Sequence, residues 1–590
     1  MKEVIVSDAN LKKYSSSQSV LKLNDSIINK NEALLTDLLN FNSTIYFKEY
    51  GRGMLSTVSF RGTTASQTAV IWNGININSQ MNGSTDFNTI SGTDYNSVSV
   101  KAGGGSLIYG SGAIGGTVHL NNDLVFYDQF ENNLKLDYGS FNTLGINYKA
   151  NISNRKWSTH IGFSRNSSTN DYKYLNQYTW RGEQRWNQNG EYEVITMSAN
   201  LGYKLDAKNT LKLYTQTSNT DRNTSLILES ETKSKYVNGF NRNLLEYDGD
   251  FGRFTTNFKT AYIFENYQYF ANKALNNYSF GKTESLTTKA DLGYTLFKST
   301  QINAIFDYNR TKGFGSGFGD NTREISSAAF LVKQDILSNW KNEIGIRKEF
   351  TDNYKSPVLF SLGSSYQISE LYQLKMNLSR NFRIPTFNDL YWEEGGNPDL
   401  KPESSYQTEI GNVFTFKNLT LTQNFYYFKI KDMLQWVPGN NGIWSPQNTN
   451  KVASYGAETL LNWRKQLGKN IFAANATYAH TISENSITKK QLFFVPFNKV
   501  TAAVSYSRNR FSTNCQFLYN GFVYTRTDNN PDETVKSYKV TNIGIDYDFK
   551  FLESFKLGFQ VLNLFNEVYE SLESRPMPGR NFNMYLTLKF

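Results

Sequence analysis

From about Leu134 to the last residue, apolar and polar positions alternate with a period of two. Leu134, Leu136 and Tyr138 are separated by Lys135 and Asp137; Leu144, Ile146, Tyr148, Ala150 and Ile152 are separated by Gly145, Asn147, Lys149 and Asn151. The same pattern runs through 157–163, 197–205, 286–296, 302–308, 500–506, 543–549 and 555–561. Successive side chains of a strand point to opposite faces, so each segment predicts a strand with one apolar and one polar face. The polar stretches 166–176, 309–321 and 528–533 read as loops.

The first 125 residues follow a different pattern and predict a compact mixed α/β domain, with the remainder, 126–590, as a second domain. Leu34, Leu35, Leu38 and Leu39 fall on one face of a short helix over 31–40. The apolar runs 68–72 and 75–77 flank Asn73-Gly74. Asn-Gly between two strands signals a hairpin, because a type I′ turn needs positive φ at both central residues. Val98, Val100 and Val118 lie on further strands around a glycine-rich turn.

Composition narrows the class. Apolar residues make up 39% of 590, mean hydropathy is −0.53, and aromatics reach 15% with 38 Tyr and 42 Phe. A disordered chain would lack the aromatics, and no run of ~20 apolar residues marks a membrane helix. Cys515 is the only cysteine, so no internal disulfide framework exists. The net charge is +10, yet residues 1–125 carry nine basic and nine acidic side chains, so the excess lies beyond them. Lys and Arg are scattered singly among Tyr and Asn rather than clustered, which excludes nucleic-acid binding and suits anionic lipid headgroups or an anionic ligand. No secretory leader opens the chain, and the rest of the sequence favours a protein whose leader has been removed.

The alternation fits either a soluble β-sandwich or propeller, or an all-β transmembrane barrel with its apolar face toward lipid. The high polarity of the second face, the aromatics near strand ends, and a last strand alternating through Phe582, Met584, Leu586, Leu588 and Phe590 favour the barrel. About 460 residues shared among 22 antiparallel strands give ~21 each, against the ~9–11 that a membrane strand needs.

Several blocks resemble the TonB-dependent outer-membrane receptors. They are VSFRGTTASQTAVIWNGININ (58–78), VSVKAGGGSLIYGSGAIGGTVHL (98–120), FRIPTFNDLY (382–391), GNPDLKPE (396–403), Glu409-Ile410-Gly411, NLFNEVYE (563–570) and PMPGRNF (576–582). They occur in family order and span nearly the whole chain. The resemblance implies a 22-stranded barrel in the outer membrane, with residues 1–125 as a plug inside its lumen. The length, Arg61-Gly62-Thr63 followed by Ala65-Ser66, and Ser84-Thr85-Asp86-Phe87 resemble the cobalamin (vitamin B12) branch. A ferric siderophore or haem receptor is the alternative within the family. Histidine is the commonest haem-iron ligand, and only His119, His160 and His480 are present.

The family implies energised import of a scarce nutrient, a corrinoid or an iron chelate. A short N-terminal Ton box pairs as a strand with TonB, driven by ExbB and ExbD. Glu3, Val4, Ile5, Val6 and Ser7 match it. The family's plug arginine, here Arg61, faces acids on the barrel wall and would act as a latch. The cobalamin branch's apical contacts fall on Leu55, Thr57, Thr64, Met81 and Asn82. No cofactor is implied. A structural calcium is possible in the branch, but no dense Asp cluster supports one. Outer-membrane lipid and lipopolysaccharide are expected neighbours, and a surface lipoprotein lid is a possible partner.

Competing signals are weak. The glycines of 110–115 fit G-x-G-x-x-G, but β-prone Thr117-Val118-His119-Leu120 follows where a dinucleotide site needs a helix. No G-x-S-x-G, H-E-x-x-H or C-x-x-C occurs, so the sequence supports no enzyme. A passive outer-membrane barrel is the rival from another class; it would need neither Ton box nor plug.

Overall fold

The computed structural model describes residues 4–5, 8–176, 182–227, 231–438, 443–551 and 553–590. Twenty-two antiparallel strands form a closed barrel, each bonded to its neighbours in chain order. The first is Gln129–Gly139 and the last is Asn581–Lys589. These two close the ring, with Asn133 opposite Lys589 and Gly139 opposite Asn583. Closure removes every strand edge, which a spanning sheet requires in lipid.

The alternation read from the sequence is the division between lipid and lumen. Along Asn209–Asn223, Leu211 and Leu213 are each 38% exposed on the outer face, whereas Lys212 and Tyr214 point inward and are buried. One end of the barrel carries tight turns, such as 298–299, 338–339, 370–371 and 417–418. The other carries long connections, including 169–191, 384–402, 521–537 and 563–580. Short periplasmic turns and long extracellular loops orient the barrel. Ring pairs mark both rims. Trp157–Tyr203, Tyr372–Phe414 and Phe472–Tyr506 stand beside short turns, while Tyr236–Tyr269 and Phe280–Phe314 stand toward the loop end. Such belts sit at the headgroup level.

The expected loop at 309–321 is not one. Strands Thr300–Gly315 and Gly319–Leu337 run through it, pairing Asn309 with Ile325 and Arg310 with Glu324. Strands of 16 and 19 residues outrun the ~9–11 needed to cross. Above the lipid both faces meet water, so the alternation vanishes while the hydrogen-bond ladder continues. The expected loop at 166–176 is likewise shortened, by Trp157–Ser168 on one side and the loop hairpin strand Lys173–Asn176 on the other.

The plug fills the lumen. Its elements are β1 (Val4–Ile5), α1 (Ala9–Lys13), β2 (Val20–Asn24), α2 (Asp25–Ile28), α3 (Leu35–Asn42), β3 (Tyr46–Glu49), β4 (Ser56–Ser59), β5 (Thr68–Trp72), β6 (Ile75–Asn76), β7 (Ser97–Ala102), α4 (Ser106–Tyr109), β8 (Gly116–Asn121) and β9 (Leu124–Val125). The central sheet runs β2-β7-β8-β5-β6, with β5 and β8 parallel. Asn73 and Gly74 make the predicted hairpin turn at φ 47° and 88°. Leu35, Leu38 and Leu39 of α3 pack with Phe47, Phe60, Val70, Trp72, Val98 and Val118 in one apolar core.

Candidate functional site: the plug apex and its seat on the wall

Two plug loops reach the extracellular end. In the first, residues 50–55, the Arg52 carbonyl accepts from Asn170 at 2.9 Å and Met54 Sδ lies 3.3 Å from the Ser225 amide. Both partners belong to extracellular connections. Leu55 follows this turn, and Thr57 stands on β4 with its hydroxyl toward the Lys48 carbonyl. Thr64 caps the short turn Ala65–Gln67, its amide bonded to Gln67 Oε1 at 3.0 Å. Leu55, Thr57 and Thr64 are half-buried.

The second apical loop, 78–86, carries Met81 and Asn82. Asn82 is exposed, and its Oδ1 accepts from the Ser84 amide at 3.1 Å. Met81 is buried against Phe318 and Phe387. An extracellular helix α5, Phe387–Tyr391, sits on this loop: the amides of Phe387 and Asn388 each donate 3.0 Å bonds to the Gln80 and Met81 carbonyls. A capping box between Thr386 and Asp389 fixes the start of α5. The barrel loop therefore holds the plug loop through backbone bonds that depend little on side-chain identity.

Arg61 is 4% exposed and inserts into the wall. Nη1 lies 2.6 Å from Glu409 Oε2, while Nη2 and Nε lie 2.6 and 3.0 Å from Glu458 Oε2. The Tyr426 ring lies under the guanidinium, 4.3 Å from its centroid. Burial opposes the charge, but the two carboxylates outweigh it and raise the guanidinium pKa further. Ser454 and Ser483 hydroxyls donate to the Arg61 and Gly62 carbonyls. Arg61 has φ 53°, a strained conformation that these contacts hold. Glu409 stood in a resembling block; Glu458 and Tyr426 carried no sequence signal, since a lumen-facing acid and ring recur along many strands.

Of the Ton-box residues, Val4 and Ile5 form β1, paired with Val125 and Leu124 of β9. Glu3, Val6 and Ser7 lie outside the described residues. Asp8 follows directly and is buried. It caps α1 through the Leu11 amide, receives the Tyr109 hydroxyl at 3.0 Å, and meets His119 Nδ1 at 2.8 Å. Burial pushes the Asp8 carboxyl up, but the bond and charge of His119, with Lys259, outweigh it and hold it at about 2. Asp8 thus ties the N-terminal segment to α4 and to β8 at once. The remaining histidines are also accounted for: His160 bonds Asn151 and His480 bonds Asn498.

Elsewhere the plug meets the wall through polar contacts, among them Lys499 to Asn40 Oδ1 (3.1 Å), Lys259 to the Asn73 carbonyl (2.7 Å) and Arg222 to Asp86 (2.5 Å). Apolar contacts join them: Leu107, Ile108 and Tyr109 pack with Ile305, Ala329 and Leu331 of the wall, and Ile114 packs with Tyr426, Phe428 and Ile430. Two cavities lie along one flank of the plug. The upper, about 140 Å³, runs from Gly83 and Thr386 down to Tyr109 and Gly74. The lower, about 680 Å³, continues from Gly74 and Lys289 past Asp8 to the periplasmic turns at Lys208 and Asp250.

A plug threaded inside a closed 22-stranded barrel is the arrangement of two matching family models. Residues 130–564 match the TonB-dependent receptor-like β-barrel, and residues 11–117 match the TonB-dependent receptor plug domain. The chain belongs to the TonB-dependent receptors. Accordingly it is an outer-membrane protein, and its family couples ligand binding to TonB. Curated relatives include vitamin B12 transporters BtuB of Photobacterium profundum and Vibrio vulnificus. Each is 23% identical over 92% of this chain, and the match covers 87% and 86% of their lengths. Similar solved structures include the siderophore receptor PirA of Acinetobacter baumannii (TM-score 0.82, 16% identity, 99% of this chain and 100% of that one). The FrpB iron transporter of Neisseria meningitidis is another (TM-score 0.80, 13% identity, 97% and 100%). At these identities the structural likeness defines the fold.

Proposed function

We propose that this receptor imports a corrinoid of the vitamin B12 class across the outer membrane, using energy delivered through TonB with ExbB and ExbD. The likeness to two vitamin B12 transporters along 92% of the chain carries this reading. Leu55, Thr57, Thr64, Met81 and Asn82 form the plug side of the ligand site, and extracellular loops form the other. Glu3, Val4, Ile5, Val6 and Ser7 are the segment that TonB grips by strand addition. Arg61 latches the plug to Glu409 and Glu458 while the lumen is shut. No chemistry on the cargo is needed, since import makes and breaks only noncovalent contacts.

A ferric siderophore is the second reading, favoured by the likeness to the siderophore receptor PirA along 99% of this chain. Isothermal titration of the purified receptor with cyanocobalamin separates the two. Saturable heat supports the corrinoid; no heat, with binding of a ferric chelate instead, replaces it.

A further inference from the structure

The upper cavity lies between the plug's Gly74–Asn76 hairpin and five wall strands, Ser279–Phe297, Thr300–Gly315, Gly319–Leu337, Trp340–Phe350 and Tyr372–Arg383. Its ionisable lining is Lys289, Asp307, Arg323, Arg347, Glu349 and Arg383, four cations against two acids. Most of these charges are matched. Arg347 spans Asp307 at 2.7 Å and Glu349 at 3.2 Å. Lys289 lies 3.8 Å from Asp307 and donates to the Ile108 carbonyl at 3.0 Å. Arg383 is held by Glu403 at 3.1 Å and Asp389 at 3.4 Å.

Arg323 is the exception. It is 1% exposed, Nη2 donates to the Pro385 carbonyl at 2.8 Å, and the Phe387 ring lies 5.0 Å from the guanidinium. Nε and Nη1 are buried with no hydrogen-bond partner. Among the described residues no carboxylate lies within ion-pair reach of it. A buried cation without a counter-charge is costly unless something supplies one. A planar guanidinium with free donors matches the two oxygens of an oxyanion. The space sets the size. About 140 Å³ is room for an oxyanion and accompanying waters.

We propose that the upper cavity binds a singly charged oxyanion, a carboxylate or a phosphodiester, through Arg323. The anion is either a group carried on the imported molecule or a free ion from the medium. The first source rests on the import reading above; the site itself does not.

The test uses the full receptor in detergent, wild type against Arg323→Gln and Arg323→Lys, with barrel assembly checked by heat-modifiable gel mobility. Melting is followed as inorganic phosphate replaces chloride at constant ionic strength. The wild type is expected to gain several degrees in Tm, Arg323→Gln none and Arg323→Lys part of the gain, by binding linkage. Cyanocobalamin, which carries a phosphodiester, and dicyanocobinamide, which lacks it, are then titrated. If the anion is carried on the cargo, Arg323→Gln weakens cyanocobalamin on the order of 10- to 100-fold and leaves dicyanocobinamide unchanged. A lost phosphate response with both corrinoids unaffected assigns the site to a free anion. A lost phosphate response with neither corrinoid bound by the wild type keeps the site and removes the corrinoid reading. The same phosphate response in wild type and Arg323→Gln, or none in either, overturns the proposal. If Arg323→Gln fails to assemble, Arg323→Lys decides: a phosphate response equal to wild type, with cyanocobalamin affinity unchanged, overturns it.

Discussion

Arg61 and Arg323 are both arginines buried between plug and wall, and they are treated in opposite ways. Arg61 belongs to the plug and meets two wall carboxylates and a tyrosine face. Arg323 belongs to the wall, meets one carbonyl and one ring, and borders a cavity. Where the guanidinium is fully matched, plug and wall are a single packed body. Where it is not, a polar cavity stands beside an apolar contact, in which Leu107, Ile108 and Tyr109 pack against Ile305, Ala329 and Leu331 of the wall. The N-terminal segment attaches on the second flank, since Asp8 lines the lower cavity. A pull on that segment from the periplasm therefore acts first at Asp8, beside the lower cavity.

The largest expected effect breaks the pull itself. Val4→Pro removes a strand donor, and uptake is expected to fall to background while equilibrium ligand binding by purified receptor is unchanged; uptake at wild-type rate would remove the energised mechanism. Next is the matched flank. Arg61→Ala leaves Glu409 and Glu458 buried without their cation, a loss of about 3–5 kcal/mol. Hydrogen exchange over 56–72 should accelerate, and large antibiotics should leak into cells carrying the variant. Unaltered exchange would mean the seat is not where plug and wall are fastened.

A smaller effect probes the cavity flank by pH. The Asp8 carboxyl is held at about 2 against an ordinary 3.8. A carboxyl with a lowered folded value stabilises above its unfolded pKa, and that contribution is lost as pH falls from about 4 through 2. It amounts to about 2 kcal/mol. Exchange protection of 8–14 should fall over that window in the wild type, and Asp8→Asn should flatten the dependence. The smallest effect is Tyr426→Leu, which removes the ring under Arg61 and is expected to cost about 0.5–2 kcal/mol, read as a modest rise in exchange at 60–63.

The fold was legible because lipid and lumen impose opposite demands on successive residues. Leu211 and Lys212 differ by one position and face different solvents. The reading failed at 309–321, where water replaced lipid on the outside and the demand disappeared. At the site, Arg61 was legible through its resembling motif, and Asn73-Gly74 through turn chemistry. Arg323, Glu458 and Tyr426 were not. Every second residue of a strand faces the lumen, and nothing local tells which of these meet across strands more than a hundred positions apart, as Arg61 and Glu458 do.

The seam between Gln129–Gly139 and Asn581–Lys589 joins two strands that stand far apart in the chain. The first of them follows the plug by a few residues. The wall cannot become a cylinder until more than four hundred residues of it have been laid side by side. Until the seam forms, both outer strands of the sheet carry an unpaired margin. A chain cut before Asn581 cannot close the ring, and its open edge is what a quality-control protease would find.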